Sequence, residues 1–361
     1  MTRVLYLAYP LLTVSNESAG GAEQVLWTLE REMADRGMET TVAASAGSQV
    51  SGGLISTGEP CFQSDDYERR RDEHESRVIE FVRQQAAKGK NFDLIHDMSG
   101  SFWRRAAEID APVLATLHLP RSFYPAENFG NSPANVSFNC VSQSQAQSFA
   151  DLPDMVGVVP NGIALEKFSG SEGMEENPGK RDGLLWLGRI CEEKAPHLAL
   201  EIAQRAGLPI TLAGQIYPFS YHQQYFEREV VPRLQRMPNA KFISAPSFRG
   251  KRNLLREAKG LLITSLVDET SSLVAMEAAA SGTPVIAFGH GALPSVVRDG
   301  KTGFIAQDVM SAVEACGRLP EISSAVCADY AKENFSSATM ADRYMQMYGM
   351  IARRYSLSAA S

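Results

Sequence analysis

Two α/β domains, each a doubly wound parallel sheet, are what this sequence predicts. Three observations carry that expectation. The chain has 361 residues, more than one ordinary core holds when domains run at roughly 100–200 residues. Short apolar or β-branched runs alternate with helical patterns through both halves, as parallel sheets with right-handed crossovers require. Between the halves, SGSEGMEENPGKR is rich in Gly, Pro and charge and has no apolar period. The domains are therefore expected over residues 1–168 and 183–337, with a linker over 169–182.

Composition narrows the function. With 42 acidic against 35 basic residues and a pI near 5.5, the chain lacks the basic balance of a nucleic-acid binder. Membrane contact would need a local basic patch, and none is indicated. Five cysteines, Cys61, Cys140, Cys191, Cys316 and Cys327, are widely spaced without a CxxC pair, which points neither to a disulfide framework nor to a zinc site. No segment is apolar for long enough to span a bilayer. A soluble protein of the reducing cytoplasm is the expectation, with no cofactor and no metal.

In the first half, residues 4–9 read as a buried first strand, followed by a polar loop that carries Gly20 and Gly21 and opens a helix at Ala22. Leu26, Leu29 and Met33 form its apolar stripe, and Gly37 ends it. The glycine pair lets backbone amides approach a phosphate closely. It is not the G-x-G-x-x-G of a nicotinamide enzyme, so a dehydrogenase is disfavoured. Residues 40–45 form a second strand, and the Gly/Ser-rich span 46–64 is expected to be a mobile loop. The mixed-charge run 67–77 reads as a solvated helix face, because acids nearly cancel Arg69, Arg70 and Arg71. Strands at 93–97, 112–117 and 136–141 follow, leading to His96 and Ser99, His118, and Ser142. In open α/β sheets ligands gather at the carboxyl ends of strands, where His118 sits.

The second half opens with a strand at 184–188 running into Gly188, Arg189, Glu193 and Lys194. A strand at 209–214, a helix over about 225–236 and a strand at 241–244 continue the alternation. The segment VDETSSLVAMEAAASGTPVIAF then holds a helix start, a helix stop at Gly282 and a strand opened by Pro284. Leu273, Met276, Glu277 and Ala280 share one helical face, so Glu277 points inward and needs a partner there, either a ligand or an Arg or Lys. Glu269 lies just before the helix, where open amides favour an anion. The combination suits a polyhydroxylated, phosphorylated ligand. Finally, Met340, Tyr344, Met347 and Ile351 make a stripe on a last helix over about 338–355.

These motifs, in this order, resemble glycosyltransferase family 4. Glu269-x7-Glu277 followed by AAASGTPVIA looks like its paired-glutamate motif; GGAE at Gly20, T-x-H at His118, VS at Ser142, NGI at Asn161, GR-x3-EK at Arg189 and the DG-x-TG-F passage accompany it. The resemblance implies two Rossmann-like domains of the GT-B fold, the first for the acceptor and the second for a nucleotide-sugar donor, with the last helix packing back on the first. It implies a retaining, metal-independent hexosyl transfer from a nucleoside diphosphate, UDP ahead of GDP or ADP, to a hydroxyl acceptor. A non-catalytic nucleotide-sugar binder on the same scaffold is the other reading left open. By the resemblance, Arg189 and Lys194 hold the diphosphate, Gly20 and Gly21 face it through their amides, and Glu277 takes the ribose hydroxyls. Glu269, with the amides of Ser272 and Leu273, takes the transferred sugar, and His118 lies near the reacting centre. His96, Ser99 and Ser142 would line the acceptor side.

The chain departs from the pattern at four places. Ala164 stands for the usual acid after NGI, Ala195 for the usual glycine after the lysine, Ser295 for the usual glutamate of GG-x-P-E-V, and Thr270-Ser271-Ser272 for Gly-Phe-Gly. The last departure changes the surface offered to the sugar.

Overall fold

The computed structural model describes residues 2–60, 64–124, 129–150, 152–169 and 181–359. Cys61 and nearly all of the expected linker lie outside these residues. The chain divides into two units, Met1–Gly162 with Ser337–Ser361, and Ile163–Ser336. The division falls before Ile163 rather than after Phe168, because Ile163 and Phe168 are buried in the core of the second unit.

The first unit is built on seven parallel strands in the order β3-β2-β1-β4-β5-β6-β7. They are β1 Arg3–Leu7, β2 Glu39–Ala44, β3 Gly53–Ser56, β4 Leu94–Asp97, β5 Val113–Leu117, β6 Val136–Cys140 and β7 Met155–Val158. The central strands are buried along nearly their whole length, which is why they read as continuous apolar runs rather than alternating ones. β3 lies inside the span expected to be a mobile loop. A single carboxylate accounts for the difference. Glu30, fully buried on the helix Gly21–Asp35, accepts hydrogen bonds from the amides of Ser51 (2.9 Å) and Gly52 (2.8 Å) and from the Thr40 hydroxyl (2.6 Å). It pins the chain just ahead of β3 to the edge of β2.

The mixed-charge run opens the helix Ser64–Ala87. It is not solvated all round: His74 and Glu75 are buried, His74 Nδ1 lying 2.7 Å from the Thr57 hydroxyl and Glu75 accepting from Ser101 (2.6 Å). The last helix, Ser337–Ala359, packs against Gly21–Asp35, and the residues of its predicted stripe, Met340, Tyr344, Met347 and Ile351, are all buried.

The second unit has six parallel strands in the order β10-β9-β8-β11-β12-β13. They are β8 Leu184–Leu187, β9 Ile210–Gly214, β10 Ala240–Ser244, β11 Gly260–Ile263, β12 Val285–Phe288 and β13 Gly303–Ala306. The helix expected at about 225–236 begins earlier, at Ser220, and contains a π-helical stretch, Phe226–Val230. Pro232, just beyond it, has no N–H to donate, so the ladder is interrupted there and the helix widens. The helix Leu273–Ala280 is buried on almost every side rather than on one face, because four of its eight residues are alanines that let sheet and helices close around it. Among the described residues no helix is long and apolar enough to cross a membrane.

Replacing Glu30 by Ala should lower the unfolding free energy by about 2–4 kcal/mol, because three donors lose their acceptor inside the protein. Urea titration would measure the loss. Hydrogen exchange should show protection of 53–56 falling before that of β1.

Candidate functional site

In each sheet the strand order reverses beside the first strand of the unit, and such switch points open a crevice at the carboxyl ends of the strands. In the second sheet the reversal lies between β8 and β11, paired from Gly260–Leu184 to Leu262–Trp186. The residues that follow these two strands are therefore delivered to one edge: Gly188 to Lys194 after β8, and Thr264 to Glu269 after β11.

Buried hydrogen bonds lock the two loops together. The Thr264 hydroxyl accepts from Trp186 Nε1 (3.1 Å) and donates to the carbonyl of Ala195 (2.8 Å), while the Leu266 amide donates to the carbonyl of Glu193 (2.8 Å). Ala195, where the resemblance has glycine, sits in the left-handed region at φ 48°. A side chain there costs about 1–2 kcal/mol, which gives the family's glycine a physical reason.

Lys194 Nζ is 2.5 Å from Glu269 Oε1, and the Ser265 hydroxyl also donates to that oxygen. Glu269 is held from behind by its backbone, its carbonyl accepting from the Ala292 amide at 2.7 Å. Gly291 makes this approach possible: at φ 62°, any Cβ would collide with the Glu269 main chain. Arg189 pairs with Glu193 at 2.8 Å and lies over the Tyr217 ring, 5.5 Å from its centroid. The helix Leu273–Ala280 begins next to this group with Ser272 in the N-cap position and no side-chain cap, so its first amides suit an anion or a hydroxyl oxygen.

Glu277 is buried, and Lys251 Nζ stands 2.6 Å from its Oε1. Sequence alone leaves Lys251 unassigned, either solvated or near the nucleotide. The inward-facing Glu277 was itself the signal, since an ionised carboxylate in a core demands a cation. Lys251 comes from the helix Phe248–Glu257, where it also lies 5.1 Å from the Phe248 ring.

In the first unit the sequence-derived residues fare unevenly. Gly20 is the N-cap of Gly21–Asp35, again without a side-chain cap, and a Cβ at Gly20 would strike the Glu23 carboxylate. That carboxylate, nearly fully buried in the first turn, is pushed up to about 7 by desolvation. Glu23 closes the GGAE element, but sequence gives it no role of its own. His118 ends β5 as expected, and burial pushes its imidazole down to about 4.

The three residues expected on the acceptor side all make hydrogen bonds within the fold. His96 is fully buried in the core, its Nδ1 2.7 Å from the Tyr348 hydroxyl and its Nε2 2.6 Å from the Thr116 hydroxyl, so it ties the last helix to the sheet. Ser99 donates to Asp97 (2.6 Å) and shapes the turn after β4. Ser142 caps the helix Gln143–Ser148 by accepting from the Gln145 amide (3.2 Å). Each is a polar residue spent on the fold.

Residues 19–167 match the family described as Glycosyltransferase Family 4, and residues 181–321 match Glycosyl transferases group 1. The chain belongs to glycosyltransferase family 4. A relative from Streptomyces scabiei (strain 87.22), named D-inositol 3-phosphate glycosyltransferase, is 29% identical over 255 residues, 60% of this chain and 57% of that relative. The match thus spans a little over half the relative's length. Sucrose-phosphate synthase from Thermosynechococcus elongatus superposes with a TM-score of 0.77 at 18% identity, covering 100% of both chains. The Anabaena protein HepE, solved with UDP and glucose, gives 0.73 at 17% identity, covering 97% of this chain and 100% of its own. The family fold is GT-B, and the two parallel-sheet units are those of that fold. Within it, the GR-x3-EK residues and the first glutamate of the family motif meet at one switch point.

Acid should expose the state of His118. With a folded value of about 4 against about 6.5 unfolded, its contribution is complete above pH 6.5 and is lost as pH falls from 6.5 towards 4. Between pH 7 and pH 5 the wild type should therefore lose up to about 2 kcal/mol more than His118→Asn, read from urea midpoints at each pH.

Proposed function

We propose that this chain is a retaining glycosyltransferase that moves a hexose from a nucleoside-diphosphate sugar, with UDP as the nucleotide, to a hydroxyl acceptor. The observation that carries this reading is the meeting of Lys194 with Glu269, 75 residues apart, at the second unit's switch point with Arg189 on the same loop. Cations beside an open helix start suit a diphosphate, and carboxylates beside them suit sugar hydroxyls.

In this reading Arg189 and Lys194 bind the diphosphate. As the bond between the anomeric carbon and the phosphate oxygen breaks, charge builds on the departing phosphate, and these fixed cations stabilise it where a metal would otherwise be needed. The acceptor oxygen bonds to the anomeric carbon on the same face, and its proton passes to the departing phosphate. Glu269, with the amides of Ser272 and Leu273, holds the transferred sugar, and Glu277 holds the ribose hydroxyls, exchanging part of its contact with Lys251. His118, uncharged at neutral pH, lies near the sugar as a hydrogen-bonding group. Gly20 and Gly21 offer amides to the phosphate. The first glutamate is followed by Thr270, Ser271 and Ser272, so hydroxyls meet the sugar where glycines would expose bare backbone.

HepE was solved with UDP and with UDP-glucose, which supports UDP as the nucleotide. The names of the Streptomyces relatives make inositol 3-phosphate the first acceptor to try. A cytoplasmic location fits the four described cysteines, all buried free thiols.

A thermal-shift panel of UDP, GDP and ADP, with their sugar conjugates, is the direct test. UDP and a UDP-sugar should raise the melting temperature, and added magnesium or manganese should not increase the rise; a shift with GDP or ADP alone would overturn the choice of nucleotide. Arg189→Ala and Lys194→Ala should each reduce kcat for transfer by at least about 10²-fold with unchanged circular dichroism. Wild-type turnover in both would overturn the site.

A further inference from the structure

We propose that Cys191, Glu193 and His222 form a zinc site that clasps the loop carrying Arg189 and Lys194 to the helix following β9. Cys191 and Glu193 lie in the turn after β8, and His222 lies on the helix Ser220–Tyr225, so neighbouring strands bring them together. One ligand atom from each, the thiol sulfur, a carboxylate oxygen and a ring nitrogen, fall within 4.8 Å of one another.

The second observation is His222 itself. It has no exposed surface, yet neither ring nitrogen has a hydrogen-bond partner. A buried imidazole without partners is costly. The rings of Tyr217, Phe219 and Tyr221 surround it at 4.3–5.8 Å and supply none through their faces. A metal on one nitrogen resolves the deficit.

The donor set selects the ion. One sulfur, one imidazole nitrogen and one carboxylate oxygen suit zinc rather than magnesium or calcium, which take oxygen ligands. Bond lengths of about 2.0–2.3 Å place tetrahedral ligands about 3.5 Å apart, so the three atoms, now within 4.8 Å of one another, draw together by side-chain rotation on binding. On binding, the Cys191 thiol loses its proton to solvent, the sulfur–zinc bond forms, and a Glu193 oxygen moves from Arg189 to the metal. Cys⁻, Glu⁻ and neutral His balance the double charge, with one position left to water.

Binding is independent of transfer, so it is tested without the reaction. Metal-stripped full-length protein, dialysed against zinc chloride, should retain one equivalent of zinc and gain several degrees in melting temperature; cobalt(II) in its place should show a thiolate charge-transfer band in the near ultraviolet. Cys191→Ser and His222→Phe should each remove both signals, while Cys327→Ser keeps them. UDP shifts in the same stripped protein report the donor site separately. No retained zinc in the wild type, or retention unchanged in Cys191→Ser and His222→Phe proteins of native circular dichroism, would overturn the site.

Discussion

A cation and a carboxylate 75 residues apart meet at 2.5 Å because β8 and β11 are neighbours in a parallel sheet. That adjacency is the constraint on which the second unit's candidate site depends. Parallel strands all point their carboxyl ends one way, so every loop that leaves the sheet on that side converges on the same edge. The reversal of strand order lies between β8 and β11. Arg189, Lys194, Ser265 and Glu269 lie on the loops that follow these two strands. Thr264 and the carbonyls of Glu193 and Ala195 then fix the spacing of the two loops, so the charged groups stand on a rigid frame.

Charge is arranged here in pairs that a ligand can enter. Lys194 with Glu269, Lys251 with Glu277, and Arg189 with Glu193 are each half to mostly buried. Leaving any one member without its partner would be more destabilising than the pair is stabilising. Pairing therefore leaves no buried charge without a partner in the free protein. For the proposed donor, a diphosphate with a polyhydroxylated sugar, anionic oxygens would answer the cations and hydroxyls the carboxylates, so the internal contacts could be replaced without stranding a charge.

The first unit spends its polar residues differently. His96, Asp97, Ser99, Ser142 and Glu30 are histidine, acids and hydroxyls of the types that sites use, but all are buried and satisfied by the fold. Glu23 is another matter, since burial raises its carboxyl to about 7 in the first turn of a helix without a side-chain cap. A close view of the GGAE turn in sequence shows a helix start. Only the packed structure shows how dry that carboxylate is.

By itself the sequence determined what depends on local order. Strand–helix alternation set two doubly wound sheets, the apolar stripe from Met340 to Ile351 set the last helix, and the spacings around Arg189, Lys194, Glu269 and Glu277 marked the second unit's candidate site. These are short-range patterns, carried by periodicity and by residues a few positions apart. Tertiary structure decided everything that required distant partners. Glu30 turned an apparent loop into β3, Pro232 and its surroundings widened a helix, Lys251 became the partner of Glu277, and His96 went to the core beneath Tyr348. Ion pairs and buried hydrogen bonds act over a few ångströms in space with no fixed separation along the chain, so no spacing in one sequence announces them.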